Sequence, residues 1–234
     1  MNEVKKRPFR LRRGLLFPVI GLLLIAALIR VFLGLRAGKW AAKRDELKLL
    51  TLVNASHPAP DDLQQEYALM EEGMVDVRCA GDLQLMIDAC QAEGFAPEIR
   101  DALVTRSLQS ERFEQRVSEL LAEGLGEEEA ERRARETVPP PGYSEHELGL
   151  AVDLADAAYG DDEQAASPMH AYLAENAWRY GFIQRYPDGK REATGVGYVP
   201  WHYRYVGREA AQQICELGLT LDEYIDLFYP EQTD

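Results

Sequence analysis

The sequence predicts an α+β domain that follows an N-terminal transmembrane helix. Three observations support this fold class: a long apolar run near the N-terminus, helical spacing of apolar residues in the first half of the remainder, and alternating apolar residues in the second half. Helices early and strands late are typical of an α+β arrangement. The length of 234 residues suits one ordinary domain plus an appendage, or two small domains.

The N-terminal appendage has the pattern of a membrane anchor. Residues 14–35 are apolar except for Arg30, which is close enough to one end to reach the interface, and about 20 apolar residues cross a bilayer as a helix. Six basic residues precede the run and four follow it, which favours a cytoplasmic N-terminus. The alternative is a cleaved signal peptide, for which the run is long. The predicted segments are a cytoplasmic basic head at 1–13, an anchor at 14–35, a juxtamembrane linker at 36–49 and an extracytoplasmic domain at 50–234.

Charge is distributed unevenly along the chain. Residues 1–44 hold eleven basic residues and one acidic residue, and the remaining residues hold 15 basic and 39 acidic ones. An acidic body repels phosphates, so the composition argues against nucleic acid as a partner.

The cysteines do not form a disulfide framework. Cys79, Cys90 and Cys215 are an odd number, and none of them belongs to a CxxC pair. Cys79 and Cys90 could form one bridge outside the cell, but small buried thiols are the favoured interpretation.

The order of predicted elements in the body follows from the spacing of its apolar residues. Apolar residues at 83, 86, 87 and 90 predict a helix over 82–93 that Gly94 closes. Further elements are predicted as follows: a short extended piece at 51–54, a strand within 95–104, helices at 107–124 and 127–136, a strand at 148–154, a helix at 168–180, strands near 182–183 and 198–206, and a helix at 208–217.

Two short segments carry the candidate chemistry. The segment 144–153, SEHELGLAVD, contains His146 and Asp153, and the segment 200–207, PWHYRYVG, contains His202. Two imidazoles and one carboxylate with an open fourth position are the ligands of a catalytic zinc ion. Such an ion lowers the pKa of a bound water and polarises a carbonyl group. His57 and His170 lack this context and are predicted to be ordinary surface or core residues.

The two segments resemble the signatures of VanY-type D-alanyl-D-alanine carboxypeptidases, zinc metallopeptidases of the M15 class. The first resembles SxHxxGxAxD, and the similarity extends over about residues 50–230. The resemblance implies a single-domain zinc D,D-peptidase-like fold with a central antiparallel sheet and flanking helices. It also implies that His146, Asp153 and His202 bind Zn²⁺, that Ser144 and Trp201 lie beside the substrate, and that peptidoglycan stem peptides are the partners. Arg204 is predicted to be structural.

Two positions depart from the family pattern. The family has a glutamate, its general base, three residues before the last histidine, and this chain has Val199. General acid–base catalysis contributes about 10²–10⁴-fold, so the loss is large. The family also carries an arginine after the preceding strand, which stabilises the developing oxyanion, and Val104 aligns there without gaps. Arg106, two residues further along a strand, would lie on the same face and could replace it.

The resemblance therefore predicts a zinc-dependent D-alanyl-D-alanine carboxypeptidase-like protein of the cell wall, with a catalytically impaired pseudoenzyme that binds stem peptides as the alternative. A working enzyme would need another base, and Glu145, Glu147 and Glu192 are the candidates. An anchored domain with an empty metal site is a third possibility, which the three retained ligands disfavour.

Overall fold

A computed structural model describes residues 30, 47–63 and 65–232 of the chain. The predicted head, anchor and most of the linker lie outside these residues, apart from Arg30. Among the described residues, no helix combines the length and the apolar character that crossing a membrane requires. Lys48–Asp234 forms one compact unit.

A four-stranded antiparallel sheet is the centre of this unit, as predicted. Its strands are β3 (Pro97–Asp101), β4 (Ala151–Asp156), β5 (Phe182–Tyr186) and β6 (Val199–Tyr205), and their spatial order is β3-β4-β6-β5. Strands β4 and β6 are therefore both interior. Since β4 pairs with both β3 and β6, residues from three strands meet along its length.

Helices pack around the sheet. They are α1 (Val77–Ala92), α2 (Arg106–Ala122), α3 (Glu127–Ala134), α4 (Pro168–Asn176), α5 (Arg191–Thr194), α6 (Arg208–Leu217) and α7 (Leu221–Phe228). The buried residues of α1 recur every three or four positions, so the helix presents one apolar face to the main core. A second core lies under α6 and α7, and a smaller one joins α2 to α3.

A short hairpin precedes α1 and was not predicted. Its strands are β1 (Tyr67–Leu69) and β2 (Met74–Asp76). The Asp76 carboxylate accepts a hydrogen bond from the backbone N–H of Arg78 and so caps α1. This cap explains why the helix begins at Val77, five residues before the predicted start.

The strand predicted within 95–104 is confirmed as β3. Strand β3 stops at Asp101, and the Thr105 hydroxyl accepts a hydrogen bond from Leu108 N as the cap of α2. Arg106 is therefore the first residue of a helix. The prediction that Arg106 lies on a strand face with Val104 is wrong.

All three cysteine thiols are free. Cys79 and Cys90 are buried on the same face of α1, and Cys215 is exposed. Eleven residues of helix separate Cys79 from Cys90 by about 16 Å, far more than a disulfide spans. The favoured interpretation, buried thiols, is confirmed for these two.

Candidate metal centre

Three structural elements bring the predicted metal ligands together. His146 lies in a single 3-10 turn, Glu145–Leu148, while Asp153 lies on β4 and His202 on β6. Asp153 and His202 are direct cross-strand partners. Gly149 ends the turn with φ 63°, a left-handed conformation that reverses the chain into β4.

The spacing of the three ligand atoms suits one metal ion. They all lie within 4.8 Å of one another. The carboxylate oxygen Oδ1 of Asp153 is 3.4 Å from Nε2 of His146 and 2.7 Å from Nδ1 of His202. Zinc–ligand bonds of about 2.0–2.2 Å in a tetrahedron place ligand atoms about 3.4 Å apart. The residues therefore fit a zinc ion after small side-chain rotations.

Each histidine has a partner for its other ring nitrogen. Nδ1 of His146 lies 2.7 Å from the carbonyl oxygen of Ala102, so this nitrogen carries the proton and Nε2 presents its lone pair. Nε2 of His202 lies 3.3 Å from Oε2 of Glu145, which leaves Nδ1 of His202 to face Asp153. Such partners fix the tautomer and orientation of metal-binding histidines.

Glu145 is part of a buried ionic network. Its Oε1 accepts hydrogen bonds from Arg185 and Arg204, each at 2.8 Å, and both arginine side chains are completely buried. Arg185 also pairs with Asp222 at the start of α7, and Arg204 donates to the carbonyl oxygens of Leu49 and Thr51. Arg204 is thus structural, as predicted.

The buried ionic network and the cluster of proposed metal ligands shift the pKa values of their titratable side chains. Burial alone would raise the pKa of Glu145, but the charges of Arg185 and Arg204 outweigh it and hold the pKa well below its usual range. Burial also opposes ionisation of Asp153, and hydrogen bonds with both histidines hold the pKa of this carboxyl low. Burial would lower the pKa of His202, but hydrogen bonds to Asp153 and Glu145 raise it to about 9.

An open pocket of about 650 Å³ lies over the three ligands. Ser144, Val199 and Trp201 line it, so both predicted substrate-contacting residues and the substituted base position face the same space. Tyr186 also lines the pocket and stacks on His202, with ring centroids 5.2 Å apart. The pocket volume lies within the usual range of small-molecule sites.

Val104 and Arg106 do not supply a cation to this pocket. The Val104 side chain is completely buried, and neither residue lines the pocket. Arg106 points elsewhere: its guanidinium contacts Glu147, Asp61 and the carbonyl oxygen of Ala59. The prediction that Arg106 could replace the family arginine is wrong in this structure.

Each of the three candidate replacement bases is either held by other groups or lies outside the pocket. Glu145 is bonded to two arginines and to His202. Glu147 is buried, accepts from Gly142 N and Arg106, and lies outside the pocket lining. Glu192 is exposed on α5 and also lies outside the lining.

Sequence reasoning missed three residues around the site, Tyr186, Arg185 and Arg112. Tyr186 and Arg185 lie on β5, whose alternation points one to the pocket and the other to the buried network. Arginines are seldom fully buried, so nothing in the sequence distinguishes Arg185 from a surface residue. Arg112 lines the pocket from α2 and lies outside the two segments, 144–153 and 200–207, that carry the candidate chemistry.

The fold and the site together define a class of metal-dependent hydrolase. Two histidines and a carboxylate beneath an open pocket leave a position for water, as catalytic zinc sites do. Residues 73–208 match the family model VanY, D-alanyl-D-alanine carboxypeptidase. The chain belongs to this family.

Relatives of similar sequence agree with the family assignment. The chain is 40% identical over 179 residues to a D-alanyl-D-alanine carboxypeptidase of Enterococcus faecalis. The aligned region covers 76% of this chain and 65% of the relative. It is 32% identical to the putative carboxypeptidase YodJ of Bacillus subtilis, and this alignment covers 76% of this chain and 67% of YodJ. The chain thus spans about two thirds of the length of these relatives.

Solved structures resemble the domain closely. A vancomycin resistance D,D-pentapeptidase VanY variant in complex with Zn(II) matches with a TM-score of 0.68 and 39% identity, covering 76% of this chain and 99% of that one. VanYB in complex with D-alanine-D-alanine matches with a TM-score of 0.69 and 39% identity, and the match covers 76% of this chain and 98% of VanYB.

Proposed function

We propose that this protein is a zinc-dependent D-alanyl-D-alanine carboxypeptidase-like protein that acts on peptidoglycan stem peptides. The observation that carries the proposal is the cluster of His146, Asp153 and His202 beneath an open pocket. Family membership adds the substrate class, because a relative of 39% identity was solved with D-alanine-D-alanine and another with Zn(II).

His146, Asp153 and His202 would hold the zinc ion. When bound, zinc supplies a polarising charge for the scissile carbonyl and lowers the pKa of a water molecule. The chain's own contribution is orientation: Ala102 and Glu145 fix the two imidazoles so that each presents one lone pair to the site. Ser144 and Trp201, which line the pocket, would contact the peptide.

Recognition without turnover is a second candidate function, and the state of the pocket carboxylates favours it. Val199 cannot carry a proton. Among the described pocket-lining residues, every carboxylate other than the proposed ligand Asp153 is engaged by a cation: Asp101 by Arg112, Glu119 by Arg116, Glu136 by Arg132, and Glu145 by Arg185 and Arg204. Turnover should therefore be slow compared with a relative that has the glutamate.

The test measures release and binding on the same preparation. The full chain, loaded with zinc, is incubated with a stem peptide ending in D-Ala-D-Ala, and free D-Ala is quantified beside a His202→Ala control. Release above the control supports a peptidase. Zinc-dependent peptide binding with no release supports recognition alone. Absence of both zinc and peptide binding contradicts both functions.

We propose further that residues 14–35 anchor the protein in the cell membrane, with the domain outside. The apolar run and its flanking basic residues support the proposal. Extraction of the protein from membranes by detergent but not by alkaline carbonate is expected. Release by carbonate would contradict the anchor.

A further inference from the structure

The pocket lacks the cation that the aligned strand end would supply. Val104 is apolar and buried, and the Arg106 guanidinium is held by two carboxylates outside the pocket. The domain is strongly acidic, so it repels an anionic ligand unless a local positive group offsets the repulsion. A peptide with a free C-terminal carboxylate therefore needs a cation from another position. Among the described residues, four arginines line the pocket: Arg100, Arg112, Arg116 and Arg135.

Arg112 is placed to supply this positive charge. It lies on α2, lines the pocket with the metal ligands, and keeps 41% of its side chain exposed. Its two terminal nitrogens grip the Asp101 carboxylate in a forked contact. Asp101 is the cross-strand partner of Asp153, so the fork ties the guanidinium to the position beside a metal ligand.

The electrostatic surroundings agree with this placement. A hydrogen bond with Asp101 raises the pKa of Arg112, burial opposes the shift, and the charges of Asp101 and Asp153 add to it. Arg112 is thus close enough to Asp153 to interact with its charge. Since Asp101 uses only the two terminal nitrogens, the Nε–H group and the remaining terminal hydrogens are left to donate to a second anion.

We propose that Arg112 binds the C-terminal carboxylate of the peptide and is the residue that makes this site specific for a free peptide end. The proposal rests on the proposed function, because it assumes that the pocket receives a stem peptide. Asp101 acts as the positioning residue, because it holds the two terminal nitrogens of Arg112 and leaves the Nε–H group and the remaining terminal hydrogens for the peptide.

Arg116 provides the matched comparison. It lies one helical turn further along α2 and lines the same pocket, but it pairs with Glu119 of its own helix and with Glu123, the residue that follows the helix. Within the part of the chain that the structure describes, it forms no hydrogen bond or ion pair with the strand that carries Asp101. Removing either arginine changes the net charge equally, so only a local role of Arg112 can separate the two variants.

The experiment compares two ligands that differ only at the peptide end. The full, zinc-loaded chain is titrated calorimetrically with a stem peptide ending in D-Ala-D-Ala and with the same peptide as its C-terminal amide. A hydrogen-bonded charged contact corresponds to about a ten- to hundredfold preference for the acid. Arg112→Gln should abolish this preference and leave amide binding unchanged, Arg112→Lys should retain part of it, and Arg116→Gln should retain all of it.

Each other outcome is decisive. If the wild-type chain binds acid and amide equally, or if Arg112→Gln keeps the preference, the proposal is overturned while the proposed function stands. If the wild-type chain binds neither peptide although zinc is bound, the proposed function fails and the role of Arg112 fails with it. Zinc content and thermal unfolding of each variant confirm that it is folded and loaded.

Discussion

Val199 places a branched hydrocarbon at the edge of the pocket, three residues before the proposed ligand His202. We expect Val199→Glu to raise kcat for D-Ala release by about 10²–10⁴-fold, because a carboxylate there can accept and return a proton. KM should change little, since the peptide contacts are unaltered. Val199→Gln is the control, because it has the same shape without the proton. Equal activity of the two variants would show that position 199 has no acid–base role.

Glu145 acts on the metal through His202 rather than on the substrate. We expect Glu145→Gln to weaken zinc binding about 10–100-fold, the usual effect of losing a carboxylate that orients a ligating histidine. Arg185 and Arg204 would also lose their shared counter-charge, so unfolding should cost about 3 kcal/mol less. Competitive titration against a zinc chelator measures the first effect.

Glu147→Gln is the matched control for this prediction. Glu147 is equally buried and also binds an arginine, but it contacts Gly142 and Arg106 rather than a ligand. It should lose stability and keep zinc affinity. A comparable loss of affinity in both variants would mean that folding damage, not orientation of His202, controls metal binding.

Among the structural elements, the turn between His146 and β4 is tightly constrained. Gly149 has φ 63°, and a Cβ there would lie 3.1 Å from Asp76 N and 3.1 Å from the Tyr67 ring. Gly149→Ala should therefore cost about 1–2 kcal/mol for the left-handed backbone and an additional amount for the contacts. The displaced turn should also weaken zinc binding, because it carries His146.

Gly218→Ala separates the cost of the left-handed backbone from the cost of the Cβ contacts. Gly218 ends α6 with φ 64°, and no atom lies within 4 Å of an added Cβ. It should show the backbone cost alone and keep zinc affinity. Urea unfolding of both variants provides the comparison, and equal losses would mean that the Asp76 and Tyr67 contacts do not constrain the turn.

At the scale of the whole molecule, the sequence predicted what is locally encoded. The ligand set follows from two segments, and the α1 core face follows from apolar spacing. Arg106 was placed on a strand face because the Thr105 cap, which makes Arg106 the first residue of α2, was not recognised. Helix α7 was missed although Thr220 and Glu223 form a capping box, a pattern that sequence alone can reveal.

Long-range electrostatics could not be predicted in the same way. The ion pair of Arg185 with Asp222 joins residues 37 positions apart, and its partner Glu145 lies 40 positions from Arg185 on the other side. The forked contact of Arg112 with Asp101 depends on how α2 packs against β3. Such contacts depend on the tertiary arrangement, so the pocket's charges became visible only in the folded molecule.

At the same scale, a buried histidine in the core should affect how the stability of the domain depends on pH. His170 lies on α4 and is buried, with Nδ1 3.3 Å from the hydroxyl of Tyr203 on β6. Among the described residues, its Nε2 has no hydrogen-bond partner. Burial lowers the pKa of His170 below the ordinary value of 6.5, and the charge of Asp156 only partly opposes this shift.

A histidine whose folded pKa is lowered stabilises the fold while it is neutral. This contribution is complete above the unfolded pKa of about 6.5 and is lost as the pH falls towards the folded value. His170 should therefore lower the stability of the domain as the pH falls below about 6.5, with a slope of at most about 1.4 kcal/mol per pH unit. His170→Gln should remove that part of the slope in urea unfolding, whereas Tyr203→Phe, which alters the same contact without removing the imidazole, should keep it. If His170→Gln and the wild-type chain have the same slope, His170 does not control the acid response and another buried group must take up the proton.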